Sequence, residues 1–239
     1  MDDNRVFLTA EWRDLAMLNY EIDPKLLQAL VPRGTELDSW SGKTFVSLVG
    51  FRFLKTAVCG LPIPFHRNFD EVNLRFYVRK EERGELRRGV VFIREVVPRW
   101  AIATVARKAY NENYIALPMR HRIENDGSGI QCEYGWRSSA GWASMNLRTE
   151  GPPVMAAENS EEQFITEHYW GYARQRDGST VEYPVEHPSW RVWQVRKSGF
   201  EGDVRELYGA EFASVLRGKP SSAFLAEGSA VTVFRGRRI

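Results

Sequence analysis

Between Glu71 and Arg79 apolar and polar residues alternate strictly. Val72, Leu74, Phe76 and Val78 fall on one side, and Glu71, Asn73, Arg75, Tyr77 and Arg79 on the other. A period of two predicts a β-strand. The turn at Glu82–Glu85 and the apolar run Gly89–Val97 after it predict an antiparallel hairpin. Upstream, Thr44–Leu54 is rich in Val and Phe and predicts a buried strand, in which Gly50 would mark a bulge. Trp12–Glu21 turns strand-like in its later part. Asp23-Pro24 then supplies the cap and first position of a short helix over Leu26, Leu27 and Leu30, closed by Pro32 and Gly34. Lys55–Phe69, with Gly60, Pro62 and Pro64, reads as a long loop.

The period changes in Pro98–Tyr110, where Ile102, Val105, Ala106 and Ala109 take helical spacing. Extended segments are predicted at Met119–Glu124, Ile130–Arg137 and Trp142–Arg148, with a turn at Asn125–Gly129 and a chain break at Gly151-Pro152-Pro153. Ser160 and Gln163 form a capping box for a short helix. Strands follow at His168–Arg176, Thr180–Glu186 and Trp190–Val195, then a helix at Asp203–Leu216. Two short strands, Phe224–Glu227 and Ala230–Phe234, flank Gly228. Strands cluster and rarely alternate with helices. The expected fold class is therefore mainly β (α+β): an antiparallel cone-like β-barrel or curved double sheet with a few short helices, as a single domain over residues 1–239.

Charge then narrows the partners. The 33 basic and 31 acidic residues give a formal net charge of +2, which makes no electrostatic case for nucleic acid. No run approaches the roughly 18 apolar residues of a membrane helix, so no membrane partner is expected. Two cysteines, Cys59 and Cys132, and a first segment without a basic-then-apolar signal suit a reducing, cytoplasmic setting. Arg235, Arg237 and Arg238 read as a frayed basic end. Nucleotide, metalloprotease and serine-hydrolase motifs are missing: Gly42-Lys43-Thr44 has Leu37 where a phosphate-binding loop needs its first Gly. The four His residues lack metal-ligand spacing. No metal and no cofactor are expected, and a small-molecule pocket is the function class that remains.

Ala106–Arg122 is the densest run of polar groups, with Tyr110, Asn111, Met119, Arg120 and His121 as candidate lining residues. Glu71 has two readings. It is an acid or base with a raised pKa if its face lines a cavity, or an exposed carboxylate paired with Arg79 or Lys80. Asn73 and Arg75 share its face, and an inward Arg75 calls for a carboxylate partner. His168 and His187 sit in aromatic corners of structural character, though either could donate a proton.

Five segments carry a resemblance: YEIDPKLLQALVP at Tyr20–Pro32, EVNLRFYV at Glu71–Val78, ARKAYNENYIALPM at Ala106–Met119, EHPSWRVW at Glu186–Trp193 and SSAFLAEGSAVTVF at Ser221–Phe234. Together they resemble the YqjF-like family of uncharacterised bacterial proteins, which is similar to the acetoacetate decarboxylase superfamily. The resemblance implies a cone-like antiparallel barrel around a central cavity. It also implies a Schiff-base Lys after a Pro, a second Lys that lowers its pKa, a cavity Arg and a cavity Glu. Here Arg13 takes the place of the Arg and Glu71 that of the Glu, but Pro118 is followed by Met119 and Arg120. Met cannot form an imine, and guanidinium is neither nucleophilic nor deprotonated at neutral pH. Lys108 is nearby in sequence but on the predicted helix. The leading expectation is a barrel pocket for an acidic or carbonyl-bearing metabolite, held by Arg13, Arg120 and Tyr or Asn groups, with Glu71 serving a lyase-like step. The alternatives are a non-catalytic binding or sensor protein, and a structural homo-oligomer with a vestigial cavity.

Overall fold

The computed structural model describes residues 5–62, 66–98 and 113–239. The helix predicted within Pro98–Tyr110, and the candidates Tyr110 and Asn111, lie outside the described residues.

Among the described residues the strands are β1 (Val6–Glu21), β2 (Glu36–Leu37), β3 (Phe45–Val58), β4 (Leu61–Pro62), β5 (Phe69–Glu82), β6 (Glu85–Val97), β7 (Tyr114–Ala116) and β8 (Met119–Asn125). They continue with β9 (Ile130–Ser138), β10 (Gly141–Met155), β11 (Trp170–Arg174), β12 (Thr180–Glu186), β13 (Arg191–Glu201), β14 (Ser222–Phe234) and β15 (Arg237–Arg238). All join one sheet whose main path runs β15-β12-β11-β6-β5-β3-β1-β14-β13-β10-β9-β8. Pairing is antiparallel except where β6 meets β7 and β11. The mainly β, curved-sheet expectation is met. The sheet is not a closed barrel throughout. It curls, and two residue pairs, Val185↔Val233 and Glu186↔Thr232, bring β12 back to β14. Seven strands thus curl around a lumen, while β13, β10, β9 and β8 continue beyond it.

That continuation folds over the outside of the curl. Leu48 of β3 and Val72, Leu74 and Phe76 of β5 pack in one core with Tyr134, Trp136 and Met145 of β9 and β10. Gly50 makes the approach possible: a Cβ there would meet the Tyr134 ring at 2.6 Å. The bulge expected at Gly50 lies instead on the neighbouring strand. Arg13 pairs with Arg52 and Ala16 with Gly50, so β1 carries the extra residue, and Asp14 takes a φ of 56° there.

Local signals act as predicted. Asp23 accepts from Lys25 N at 2.9 Å at the head of Pro24–Leu27, and Ser160 accepts from Gln163 N at 3.1 Å at the head of the helix Glu161–Thr166. Several boundaries differ from expectation. In Lys55–Phe69, expected as a loop, β3 runs on to Val58 and pairs back with β4 (Leu61–Pro62). β10 continues through Gly151-Pro152-Pro153 because its register shifts between Glu150 and Val154, where a proline need not donate to the ladder. The predicted helix at Asp203–Leu216 is two helices, Arg205–Tyr208 and Ala210–Arg217, split at Gly209, whose φ is 86°. The basic end is not frayed: β15 pairs with β12, and Arg237 Nε donates to the fully buried Glu182 at 2.6 Å. Finally, β14 runs unbroken through Gly228. No helix among the described residues is long and apolar enough to cross a membrane.

Gly228 has a φ of 76°, and a Cβ there would lie 2.0 Å from the Trp12 carbonyl oxygen on β1. Gly42 has a similar φ of 77° with nothing within 4 Å. Gly42→Ala should therefore cost about 1 kcal/mol, from the left-handed backbone alone. Gly228→Ala should cost about 3 kcal/mol or more, because backbone must also move. Urea unfolding of both variants checks this, and equal losses would contradict the close-approach account.

Candidate functional site

The inner face of the curl encloses a cavity of about 120 Å³, several times the roughly 10–15 Å³ that holds one water. Each strand of the curl contributes to its wall. Trp12 comes from β1, Phe51 and Phe53 from β3, Val90 and Phe92 from β6, Gly171 from β11, Tyr183 from β12 and Val233 from β14. The wall is thus mainly aromatic and aliphatic. Polar groups enter from β5, from Glu95 on the strand beside it, from Tyr114 of β7, from Thr166 and His168 at the end of the helix Glu161–Thr166, and from His187 after β12, which stacks on Trp190 with its Nδ1 2.9 Å from the Pro188 carbonyl.

Glu71, Asn73 and Arg75 of β5 line this cavity together, since residues two apart on a strand share a face. Glu71 is 2% exposed. Its Oε1 accepts from Asn73 Nδ2 at 2.9 Å, and its Oε2 from the Tyr114 hydroxyl at 3.1 Å. Burial pushes the Glu71 carboxyl up to about 7, although both hydrogen bonds and the nearby Arg75 charge pull the other way. Arg75 makes no ion pair with it. Its Nε donates to the Tyr77 hydroxyl at 3.4 Å, and its Nη2 to the Ile165 carbonyl at 3.2 Å. Tyr77 donates to Ser47 and Ser47 to Asn19, each at 2.6 Å. Asn19 donates to Ser222 at 2.9 Å, and Ser222 to Glu161. The guanidinium is held by a buried chain that ends on a carboxylate at the helix start.

A bulge adds a second carboxyl group to the cavity. From the turn to Arg75↔Phe92 the β5–β6 hairpin keeps one register; at Leu74↔Arg94 it has shifted, leaving Ile93 as the extra residue. Glu95 consequently lies opposite Asn73, 1% exposed on the cavity wall, while Arg94 lies opposite Leu74. An unbulged hairpin would have put Arg94 opposite Asn73 and Glu95 opposite Val72, on the outer face.

The sequence reads His168 as structural, with proton donation as its other role. Its Nε2 is 3.3 Å from Asp38 Oδ2, and Arg88 Nε donates to the same oxygen at 2.8 Å. Burial opposes ionisation of Asp38, but His168 and Arg88 outweigh it and hold the carboxyl down to about 2. Burial likewise lowers the His168 pKa, against the pull of Asp38.

The other sequence candidates are placed elsewhere. Arg13 is 37% exposed and donates to Glu11 at 3.2 Å and to the Gly228 carbonyl at 3.2 Å. Arg120 is 58% exposed and lies over the Trp142 ring at 4.3 Å. His121 Nδ1 is 2.8 Å from Asp70. Met119 packs against the outer core. The reason is topological: β8, which carries the last three, ends the sheet beyond β13, β10 and β9. The expected convergence of Arg13, Glu71 and Arg120 is therefore absent, and of these three only Glu71 reaches the cavity. Among the described residues no group of three or more His, Cys, Asp or Glu is arranged to hold a metal ion.

Comparisons with known proteins agree with this architecture. The chain is similar to acetoacetate decarboxylase from Legionella pneumophila, with a TM-score of 0.70 at 14% identity, covering 98% of this chain and 87% of that one. It is similar to an acetoacetate decarboxylase-like enzyme from Sphingomonas wittichii RW1, with a TM-score of 0.67 at 13% identity, covering 100% and 94%. The enduracididine biosynthesis enzyme MppR complexed with pyruvate aligns with a TM-score of 0.69 at 11% identity, over 97% and 90%. At these identities the likeness is one of fold. In sequence, the chain is 26% identical over 210 residues to the uncharacterized protein YqjF of Bacillus subtilis (strain 168), covering 87% of this chain and 83% of that protein. The DUF2071 model, described as an uncharacterized conserved protein, matches residues 9–230. The chain belongs to the DUF2071 family of uncharacterized conserved proteins and has the acetoacetate decarboxylase-like fold.

Proposed function

We propose that the lumen binds a small metabolite bearing a carboxylate or carbonyl, and that Glu71 acts on it as an acid or base in a lyase-like step without a Schiff base. The observation that carries this is the coexistence, on one face of β5, of a desolvated carboxyl group and a guanidinium that do not pair with each other. A carboxyl that titrates near 7 can both give and take a proton at neutral pH. Arg75 offers an anion the N–H groups it has not already committed among the described residues. No Lys lines the cavity among the described residues, in keeping with Met119 and Arg120 after Pro118. Arg75 takes over the anion-holding role that the sequence suggested for Arg13 and Arg120. Cytoplasmic residence belongs to the same proposal, supported by the free thiols Cys59 and Cys132. The second reading is a non-catalytic binding protein, favoured by the largely aromatic wall.

A thermal-shift screen of 2-oxo and 3-oxo acids, followed by turnover assays on the hits, separates the two. Under the catalytic reading Glu71→Gln retains binding and loses roughly 100-fold or more in kcat. Binding by wild type with no turnover would favour the binding protein. Arg75→Met should weaken a carboxylate ligand by about 10- to 100-fold, the worth of a charged hydrogen bond.

Borohydride reduction with acetoacetate or pyruvate should leave the protein mass unchanged. A stable adduct on any residue would overturn the exclusion of imine chemistry.

Ionisation of Glu71 also links to stability. Its folded pKa, about 7, is above the ordinary 4.5, so the folded state holds a proton that the unfolded chain has released. Stability contributed by Glu71 is thus full below pH 4.5, falls as pH rises toward 7, and is level above it. The loss is on the order of 3 kcal/mol. Relative to wild type, Glu71→Gln should gain stability between pH 5 and pH 8. A difference in Tm that is independent of pH would show Glu71 to titrate normally.

A further inference from the structure

We infer that His168 is the proton acceptor of this lumen, with Asp38 fixing its tautomer, and that the ligand is an enolisable oxo acid. The inference rests on the functional reading above and extends it from one proton-transfer group to two.

The His168 side chain is 1% exposed, and its ring lines the cavity. Tyr77 lies 4.7 Å from it, and Phe164 meets it edge-on at 5.0 Å. Asp38 is not part of the cavity wall. It lies behind the ring, accepting from Ser39 N at 2.9 Å and from both Nε and Nη2 of Arg88. A carboxylate held this way can only accept, so the neutral imidazole carries its proton on Nε2. Nδ1 is left with a lone pair and has no hydrogen-bond partner among the described residues. A buried acceptor left unmatched costs about 1–3 kcal/mol.

A second acceptor on the same wall is in the same state. Asn73 gives its Nδ2 to Glu71, and its Oδ1 has no partner among the described residues. Trp12 Nε1, also on the wall, is a donor without a partner among them. The wall thus presents two acceptors and one donor without partners among the described residues, beside the N–H groups that Arg75 has not committed. Arg75 suits the carboxylate of an oxo acid, and protonated Glu71 suits its carbonyl. The C–H next to that carbonyl is the proton left for His168.

The step balances without a further reactant. The C–H bond breaks and its proton goes to Nδ1. Its electron pair forms the C=C bond, the carbonyl π pair moves to oxygen, and that oxygen takes the Glu71 proton. The products are an enol, an imidazolium and the Glu71 carboxylate. Burial, Arg88 and Arg75 oppose the imidazolium, and Asp38 stabilises it. Reversal in D2O replaces hydrogen by deuterium.

Two measurements test this. First, long-range proton–nitrogen NMR of ligand-free, 15N-histidine-labelled protein, with His168 assigned by its loss in H168Q, should show Nε2–H and a bare Nδ1. An Nδ1–H ring overturns the inference without reference to any ligand. Second, wild type should exchange the methyl protons of pyruvate, the probe, with D2O. H168Q should retain the pyruvate thermal shift and lose roughly 100-fold in exchange rate. D38N should keep binding and move the acidic limb of the exchange profile to lower pH, because the imidazolium loses its counter-charge. Wild type that binds pyruvate without exchanging it, or H168Q with full exchange, overturns the assignment. Wild type that shows no pyruvate shift overturns the oxo-acid reading instead, and the ring tautomer still judges His168.

Discussion

A strand buried on both faces cannot carry polar residues without compensation, and β5 carries three of them in a row of alternate positions. Its outer face meets that cost. Val72, Leu74 and Phe76 are completely buried against Tyr134, Trp136 and Met145, and each such side chain contributes roughly 1.5–3 kcal/mol. The inner face then tolerates Glu71 and Asn73 at 2% and 1% exposure. Glu71 reduces its own penalty by staying protonated, since a neutral carboxyl is far cheaper to bury than a charged one. A slip of one residue would turn the whole apolar row into the lumen and the polar row into the outer core. Register along β5 is therefore fixed by the same alternation that creates the site.

That alternation could be read directly from the chain. Glu71, Asn73 and Arg75 share a face because the period is two, and the hairpin with β6 follows from its turn. The second carboxyl group could not be read this way. Whether Glu95 or Arg94 enters the lumen depends on one extra residue, Ile93, and nothing in the run GVVFIREVV marks it as a bulge. His168 was hidden for a different reason. Its partner Asp38 is 130 residues away in sequence, and the lumen it lines exists only once β12 has returned to β14. Local chemistry could show that a histidine in an aromatic corner was packed, but not what lay behind its ring.

The resemblance to the decarboxylases carried the fold, and the described geometry places several of the residues it pointed to outside the lumen. A motif comparison places Met119 and Arg120 where catalytic lysines would be, and Arg13 where a cavity arginine would be. The described geometry puts β8 at the far end of the sheet and leaves Arg13 partly exposed and paired with Glu11. Two observations support the proposal that no imine forms here: Met119 and Arg120 after Pro118 cannot form one, and neither lines this lumen. A fold can be retained while the positions that carried its chemistry are reassigned to outer packing and solvent-facing pairs.

The lumen keeps its own charges apart, as the proposed binding of an anion requires. Had Arg75 paired directly with Glu71, its charge would have pulled the carboxyl down against the effect of burial, and the guanidinium would have been spent. Instead Asn73 and Tyr114 occupy the two Glu71 oxygens with neutral donors. Arg75 is satisfied through Tyr77, Ser47, Asn19 and Ser222, every donor pointing toward Glu161. The counter-charge of the arginine is thereby moved to the start of the helix Glu161–Thr166, and the far end of that helix supplies the Ile165 carbonyl to the same guanidinium. One short helix, set by the Ser160 cap, holds Arg75 from both of its ends. Its placement separates a lumen that neutralises itself from one that retains an acid and a cation for something else to bind.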